Sequence, residues 1–188
     1  MICSKCYNEK EFIVKEEKEI IKVKGEPIEI TSKVTYCKNC GEQIWNPELD
    51  DENLDTAYRC YRKKHNLLMP EEIKEIRKRL ELSQKSFSKL LGIGEKTITR
   101  YENGAIQDQA HNNLILLADS LENFNLLYAK QKYKFDQKEQ LKIEEFLKKH
   151  KLRLIENKYI KPINFDHKYC TGELKNDRST QYQFNSAV

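Results

Sequence analysis

The chain has 188 residues, with 34 lysines and arginines against 30 aspartates and glutamates, and a formal net charge of +4. Hydrophobic residues make up 38% and charged residues 34%, so the cores are predicted to be modest and the surface highly charged. No apolar run approaches the ~18 residues that span a bilayer, and the charged N-terminus is unlike a signal peptide. These features exclude a membrane-spanning protein and leave room for two small domains, or one domain and an extended tail.

Four cysteines form two matched pairs, each with two residues between its members: Cys3, Cys6, Cys37 and Cys40. Such a pair lets one tight turn direct both thiolates at a single ion, and two turns complete the tetrahedral four-sulfur shell that zinc favours. Gly41 suits the second turn, because a side chain there would obstruct the approach of backbone amides to the sulfurs. We predict a structural zinc. The alternatives are a rubredoxin-like iron site and a redox dithiol, and no partner motif supports either.

A bound metal would also explain how a short N-terminal unit folds. A piece of about 45 residues rarely folds on apolar burial alone. Zinc can contribute on the order of 10–16 kcal/mol of apparent free energy at neutral pH. Reduced, metal-bound cysteines are typical of the cytosol rather than of an oxidising compartment, so we expect a cytoplasmic protein.

The residues between the cysteine pairs alternate in the manner of β-strands. Segments 21–24 and 28–30 flank a predicted turn at Gly25, Glu26 and Pro27, and segment 34–36 leads into the second pair. We predict a small antiparallel sheet with the zinc at one end, forming a domain over residues 1–48. Asn46 and Pro47 are expected to end this unit.

An acidic stretch follows the second cysteine pair. Residues 42–58 contain no base and six acids: Glu42, Glu48, Asp50, Asp51, Glu52 and Asp55. Because short acids suit the N-cap and first turn of a helix, we predict that a helix begins near Asp50 or Asp51. It would run to about His65 and form a connecting helix over residues 49–66.

Residues 62–100 are basic, with eleven bases against five acids, which favours contact with a polyanion. One helix is predicted to begin at Pro70. A second is capped by Ser83 and ends at Gly92, and a third runs over residues 95–102. The last two helices meet at a tight turn, which is helix-turn-helix architecture within a domain over residues 67–130.

The third of these helices presents side chains suited to the DNA major groove. Arginine can pair bidentately with guanine, and threonine can contact a thymine methyl group or a phosphate. The alternative is an ordinary surface helix whose charged side chains are solvated and do not contact DNA. The predicted DNA-binding residues are Gln84, Lys85, Lys89, Lys96, Thr97, Thr99 and Arg100.

The rest of the chain is predicted to be helical and then flexible. One helix spans residues 114–127, with Leu114, Leu117, Leu121 and Phe124 in register, and another runs from Asp136 to about His150. Residues 171–188 are polar and aperiodic, which predicts a flexible tail. The expected fold class is α+β, with a zinc-bound antiparallel β domain, an all-α helix-turn-helix domain and a helical and flexible extension over residues 131–188.

Residues 83–104 resemble the helix-turn-helix of the phage-repressor (Xre/Cro) family. With the two-CxxC unit in front, residues 1–130 resemble the MqsA-type antitoxins of bacterial toxin–antitoxin operons. The resemblance rests on the combination, together with the stretch 47–54, the helix start at Pro70 and the segment 100–104. It covers about two-thirds of the chain. Lys96 departs from the asparagine that such proteins can carry, Met69 stands where a capping serine or threonine is usual, and residues 131–188 extend beyond the compact antitoxin.

The resemblance implies a division of labour. The zinc domain would bind and neutralise a cognate toxin, commonly an RNase, although the C-terminal extension could hold the toxin instead. The helix-turn-helix domain would dimerise and repress the operon, with Arg100 reading a base in a palindromic operator. The acids of residues 42–55 would form a landing site for a basic toxin, or else a solvated helix start.

Two other classes of function remain as alternatives. One is a stand-alone zinc-containing helix-turn-helix regulator with no toxin partner. The other is an enzyme or electron carrier, for which the sequence has no HExxH motif, no phosphate-binding glycine-rich loop and no nucleophile elbow. The four histidines are scattered through the chain, so we predict that the protein is not an enzyme.

Overall fold

The computed structural model describes residues 2–7 and 11–154, with side chains up to residue 150. Within these ranges, a three-stranded antiparallel sheet comes first and seven α-helices follow, so the predicted α+β class is confirmed. The strands are β1 (Phe12–Val23), β2 (Glu26–Cys37) and β3 (Gln43–Ile44). The flexible tail predicted over residues 171–188 lies outside the described residues.

The sheet is a long β-hairpin with a short third strand. β1 pairs with β2 from Phe12 opposite Cys37 to Val23 opposite Glu26. The connection is therefore the two-residue turn of Lys24 (φ 49°) and Gly25 (φ 84°), one residue earlier than predicted. Two successive positive φ angles match the twist of a hairpin, and glycine accepts one of them without strain. Pro27 lies inside β2, close to its start, where a missing N–H is tolerated.

The first helix, α1 (Pro47–Lys64), begins three or four residues before the predicted start. Pro47 occupies the first helical position, where its fixed φ is already helical, and the side chain of Asn46 accepts the N–H of Leu49. Asn46 and Pro47 therefore start this helix as well as ending the sheet. α1 packs on the sheet through a cluster of buried residues that contains Val23, Ile28, Ile30, Ala57 and Cys60.

Three short helices form the predicted helix-turn-helix region: α2 (Pro70–Arg79), α3 (Gln84–Leu91) and α4 (Glu95–Glu102). Met69 precedes α2, and Glu72 accepts its backbone N–H at 2.7 Å, which supplies half of a capping box. Fully buried Phe87, Leu90 and Ile98 hold α3 and α4 in the larger core. The start at Pro70, the Ser83 cap and the end at Gly92 agree with the sequence prediction.

The single helix predicted over residues 114–127 is wrong. The structure has α5 (Gln109–Ala118) and α6 (Leu121–Gln131) instead. The N–H groups of Asp119 and Ser120 bond three residues back, which ends α5, and the carbonyl of Ser120 accepts the N–H of Phe124 in the next helix. Leu117 is 56% exposed rather than part of the core, because Asn112, Ile115 and Ala118 form the buried face of α5.

A 3-10 turn (Lys132–Lys134) leads into the last helix, α7 (Gln137–Leu154). Phe135, Ile143 and Phe146 are buried in the same core as α2 to α6, so this helix packs on the helix-turn-helix region. Phe146 meets Phe124 edge to face, with ring centroids 5.6 Å apart. None of the helices in the described part of the chain is both long and apolar enough to cross a bilayer.

The sheet unit meets the helices at the loop after α4. The Nζ atom of Lys24 donates to the carbonyl of Gln107 at 3.4 Å, and Ile106 packs against the sheet core. Arg62 of α1 is completely buried, and its Nη2 donates to the carbonyl of Gly104 at 2.6 Å. Burial lowers the pKa of the Arg62 guanidinium. Arg62 belongs to the basic stretch but is therefore not available to contact a polyanion.

Candidate metal centre and nucleic-acid interface

Four cysteine sulfurs converge at the end of the sheet away from the hairpin turn. The Sγ atoms of Cys3, Cys6, Cys37 and Cys40 all lie within 4.8 Å of one another. The Sγ atoms of Cys3 and Cys40 are 3.5 Å apart, as are those of Cys6 and Cys37. Each of these short distances therefore joins a cysteine of the first pair to a cysteine of the second, more than thirty residues away in sequence.

Two equivalent turns position these cysteines. The N–H of Tyr7 bonds to the carbonyl of Cys3 at 2.9 Å, and the N–H of Gly41 bonds to the carbonyl of Cys37 at 2.9 Å. Each donor has a positive φ, 54° at Tyr7 and 71° at Gly41. A Cβ atom at Gly41 would meet no other atom within 4 Å. Glycine is therefore favoured here by its left-handed backbone, not by the close approach to sulfur that the sequence suggested.

The cluster has the dimensions of a four-thiolate metal shell. Zinc bonds sulfur at about 2.3 Å, which places tetrahedral sulfurs roughly 3.8 Å apart, within the spread found here. A backbone hydrogen bond at Glu42 lowers the pKa of the Cys40 thiol, but burial and the neighbouring thiols outweigh it and raise the pKa to about 12. A cation is what would allow these thiolates to coexist. The residues present therefore fit a metal ion.

The first helix of the helix-turn-helix, α3, is capped at both ends. The Oγ atom of Ser83 accepts the N–H of Ser86 at 3.0 Å at the start of α3. Gly92 ends α3 in a left-handed conformation with φ 70°, and Gly94 precedes α4. The Oγ atom of Ser88, which is buried beside the turn, donates to the carbonyl of Lys85. These contacts define where α3 begins and ends.

A polar network ties α4 to α2 and α3. Glu102 accepts two bonds from Arg77, from Nε at 2.6 Å and from Nη2 at 2.9 Å, and a third from Nε2 of Gln84 at 2.8 Å. Thr99 donates its Oγ1 proton to Oε1 of Gln84 at 3.0 Å. The Glu102 side chain is only 2% exposed. Burial opposes its ionisation, but the bonds from Arg77 and Gln84 outweigh burial and hold the pKa of Glu102 below its usual value.

The predicted DNA-binding residues fall into two groups. Lys85 on α3 and Lys96 and Arg100 on α4 are exposed. The other four are partly buried, and three of them make side-chain bonds within the protein: Gln84 and Thr99 in the Glu102 network, and Lys89 to Glu139. The assignment of all seven residues to DNA contacts stays a prediction.

The sequence reasoning missed three features of these surfaces. Arg77 and Glu102 form a buried ion pair, Glu139 reaches α3 from the C-terminal extension, and Trp45 is 74% exposed beside the cysteine cluster. For Trp45 a signal was available, because the alternation of β3, continued one residue past its end, places Ile44 inside and the tryptophan outside. The ion pairs Arg77–Glu102 and Lys89–Glu139 join segments that are distant in sequence, so no local sequence pattern indicates them.

The comparisons with known proteins agree with the two motifs. The family described as the antitoxin component of bacterial toxin–antitoxin systems, MqsA, matches residues 1–128. The antitoxin MqsA of Escherichia coli (strain K12) is 36% identical over 74 residues, which is 38% of this chain. The match spans 56% of that relative's length. No solved structure matches. On the extent of the family match, this chain belongs to the MqsA family of antitoxins.

Proposed function

We propose that this antitoxin neutralises a cognate toxin by direct binding and represses its own operon as a DNA-binding dimer. The observation that carries the DNA-binding part is the exposure of Lys96 and Arg100 on a helix that buried contacts hold rigidly. The role is regulatory, and no catalytic step is assigned to the protein. Its location in the cytoplasm remains the prediction made from the reduced cysteines.

On DNA, α4 enters the major groove and reads sequence through Arg100 and Thr97. Lys85 is exposed on α3 and bonds a phosphate, which supplies affinity without sequence preference. Two copies of α4 lie about 34 Å apart in successive grooves of a palindrome. The exposed leucines of α5 and α6 support a dimer, because Leu116, Leu117 and Leu126 are 42%, 56% and 56% exposed.

Replacing Arg100 with alanine is expected to weaken operator binding by about 1–3 kcal/mol and to relax its sequence specificity. The guanidinium is exposed on α4, so the change removes a base contact without disturbing the core. Titration of the full-length protein against operator and random duplexes measures both effects. The matched control is Lys85→Ala, which should weaken binding to both duplexes alike. Equal losses on both duplexes for Arg100→Ala would contradict its role in reading sequence.

The metal in the cysteine site is zinc in this proposal, and its role is structural. Cys3, Cys6, Cys37 and Cys40 fill a tetrahedral shell and leave no position for a reactive water. Zinc would hold together the two turns over residues 3–7 and 37–41, which we call the knuckle turns, and so fix the shape of the adjoining surface.

That adjoining surface supports toxin binding by the N-terminal domain. Trp45 and Ile2, 74% and 58% exposed, line a recess of about 360 Å³ with Ile44 and Pro47. Exposed aromatic side chains of this kind are frequent anchors of protein interfaces. Exposed acids follow at the start of α1, namely Glu48, Asp50 and Asp51. An apolar anchor beside exposed acids suits a basic protein such as an RNase.

Replacing Trp45 with alanine is expected to weaken toxin binding by about 2 kcal/mol or more, roughly 30-fold. The tagged full-length protein, recovered from nuclease-treated native lysate, would identify the toxin by mass spectrometry, and calorimetry would then compare variants. Tyr133→Ala is the control, since it removes a comparably exposed aromatic side chain (79%) from the helical region. Full toxin affinity in Trp45→Ala would place the toxin elsewhere on the chain. Recovery of no stoichiometric partner would favour the stand-alone regulator.

A further inference from the structure

One side chain of the C-terminal extension forms hydrogen bonds with α3, the first helix of the helix-turn-helix. The Oε2 atom of Glu139, in the first turn of α7, accepts a bond from Nζ of Lys89 at 2.6 Å. Its other oxygen accepts the hydroxyl proton of Ser86 at 2.9 Å. Glu139 therefore contacts α3 at two positions, three residues apart, that lie on one side of the helix.

This contact is not a loose surface ion pair. The side chains of Lys89 and Glu139 are only 21% and 20% exposed. The Nζ atom of Lys89 also lies 5.6 Å from the ring centre of Phe135, within the range of a cation–π contact. Asp136 fixes Glu139 in turn, because its Oδ1 accepts the N–H of Glu139 at 2.8 Å and its own N–H bonds to Oε2. The carboxylate is thus held in place by its own helix before it meets Lys89.

The pair changes the charge that α3 can offer to DNA. Lys85 and Lys89 lie one turn apart on this helix, but Lys85 is exposed and Lys89 is neutralised. A lysine that is paired with a carboxylate cannot release a DNA counterion until the pair opens. The helix that supplies the carboxylate lies outside residues 1–128, the part of the chain that the antitoxin family matches.

We propose that Glu139 withholds Lys89 from the DNA backbone, so that the C-terminal extension lowers the affinity of this antitoxin for DNA of any sequence. This inference rests on the proposed DNA-binding function and adds a regulatory element to it. Any change that breaks the pair of Glu139 and Lys89 would release Lys89 and tighten binding to DNA.

The test uses four full-length variants: Glu139→Gln, Glu144→Gln, Lys89→Ala and the double variant of Glu139→Gln with Lys89→Ala. Glutamine keeps an acceptor for Ser86 and removes the charge. Glu144 is the matched control, because it is another acid of α7 but pairs with Lys132, outside α3. Each variant is titrated against operator and random duplexes over a range of salt concentrations, and thermal unfolding establishes that it is folded.

We expect Glu139→Gln to bind both duplexes more tightly, by roughly five-fold for each released lysine at ~0.15 M salt. The slope of log affinity against log salt should steepen by about 0.9 per lysine. Adding Lys89→Ala should abolish the gain, while Lys89→Ala alone should change little. Glu144→Gln should stay close to the unaltered protein, which separates the local contact from a change in net charge.

Two results would overturn the inference while leaving the proposed function intact. In one, Glu139→Gln binds DNA no more tightly than Glu144→Gln. In the other, Lys89→Ala alone weakens binding as much as it does beside Glu139→Gln, which would mean that Lys89 already contacts DNA. If the unaltered protein and every variant fail to bind DNA, the proposed function itself is wrong and the inference fails with it.

Discussion

Removing the metal from the four-cysteine site is expected to unfold the end of the sheet that carries the two knuckle turns. Among the residues that the structure describes, the buried cluster there consists of Cys3, Cys37 and Ile44, with Phe12, Cys6 and Cys40 packed against it. So little apolar surface cannot hold the two segments together once the cation is lost. Zinc contributes on the order of 10–16 kcal/mol in comparable small sites, so this is the largest effect that we predict for any single change.

The test of this unfolding compares the Cys37→Ser variant with the unaltered protein from which a chelator has removed the metal. Cys37 is 1% exposed, so its loss removes a ligand and leaves a buried hydroxyl. The measured metal content should fall from one zinc per chain to none. Backbone amide exchange should become fast at residues 37–44 and along the start of β1. The helices from α2 onward should keep their protection, because their core is separate.

Ser4→Ala is the matched control, since Ser4 is exposed between the two cysteines of the first knuckle and supplies no ligand. It should retain one zinc and normal amide protection. A Cys37→Ser protein that is metal-free and still fully protected at the knuckles would show that the site is not what stabilises this end of the sheet.

Features that depend on neighbouring residues could be predicted from the sequence. The spacing of Cys3 and Cys6 fixes a local turn, Ser83 caps the helix that it precedes, and Gly92 ends that helix in a left-handed conformation. In each case the physical cause lies within about four residues, which is the range over which sequence patterns act. Apart from the break between α5 and α6, the order of the sheet and helices followed from these signals.

Features that depend on distant partners could not be predicted. Lys89 and Arg62 were both counted in the basic stretch, but Glu139 lies 50 residues from Lys89 and Gly104 lies 42 residues from Arg62. The end of α5 is likewise stabilised by Arg79, which pairs with Asp119 from 40 residues away. Counting bases therefore overestimates the charge that is available to a polyanion, because tertiary contacts neutralise or bury several of them.

Replacing Glu102 with alanine is expected to cost about 3–5 kcal/mol of folding free energy, the second-largest effect that we predict. The change leaves the guanidinium of Arg77, 12% exposed, without its two bonds to the carboxylate. It also removes the acceptor that holds Gln84 beside Thr99. Because these side chains connect α2, α3 and α4, urea unfolding should show the loss together with weaker binding to operator DNA.

Two further measurements separate the buried charge from the loss of packing. The paired change of Arg77→Met and Glu102→Leu should recover much of the stability, because it leaves no uncompensated buried charge. The ionised Glu102 stabilises the native state fully above its unfolded pKa of about 4.5, and that stabilisation is lost as pH falls through its lower native value. Glu102→Gln should therefore lose less stability than the unaltered protein when both are acidified below that pH. An identical acid response in the two proteins would mean that the carboxylate is not charged in the native network.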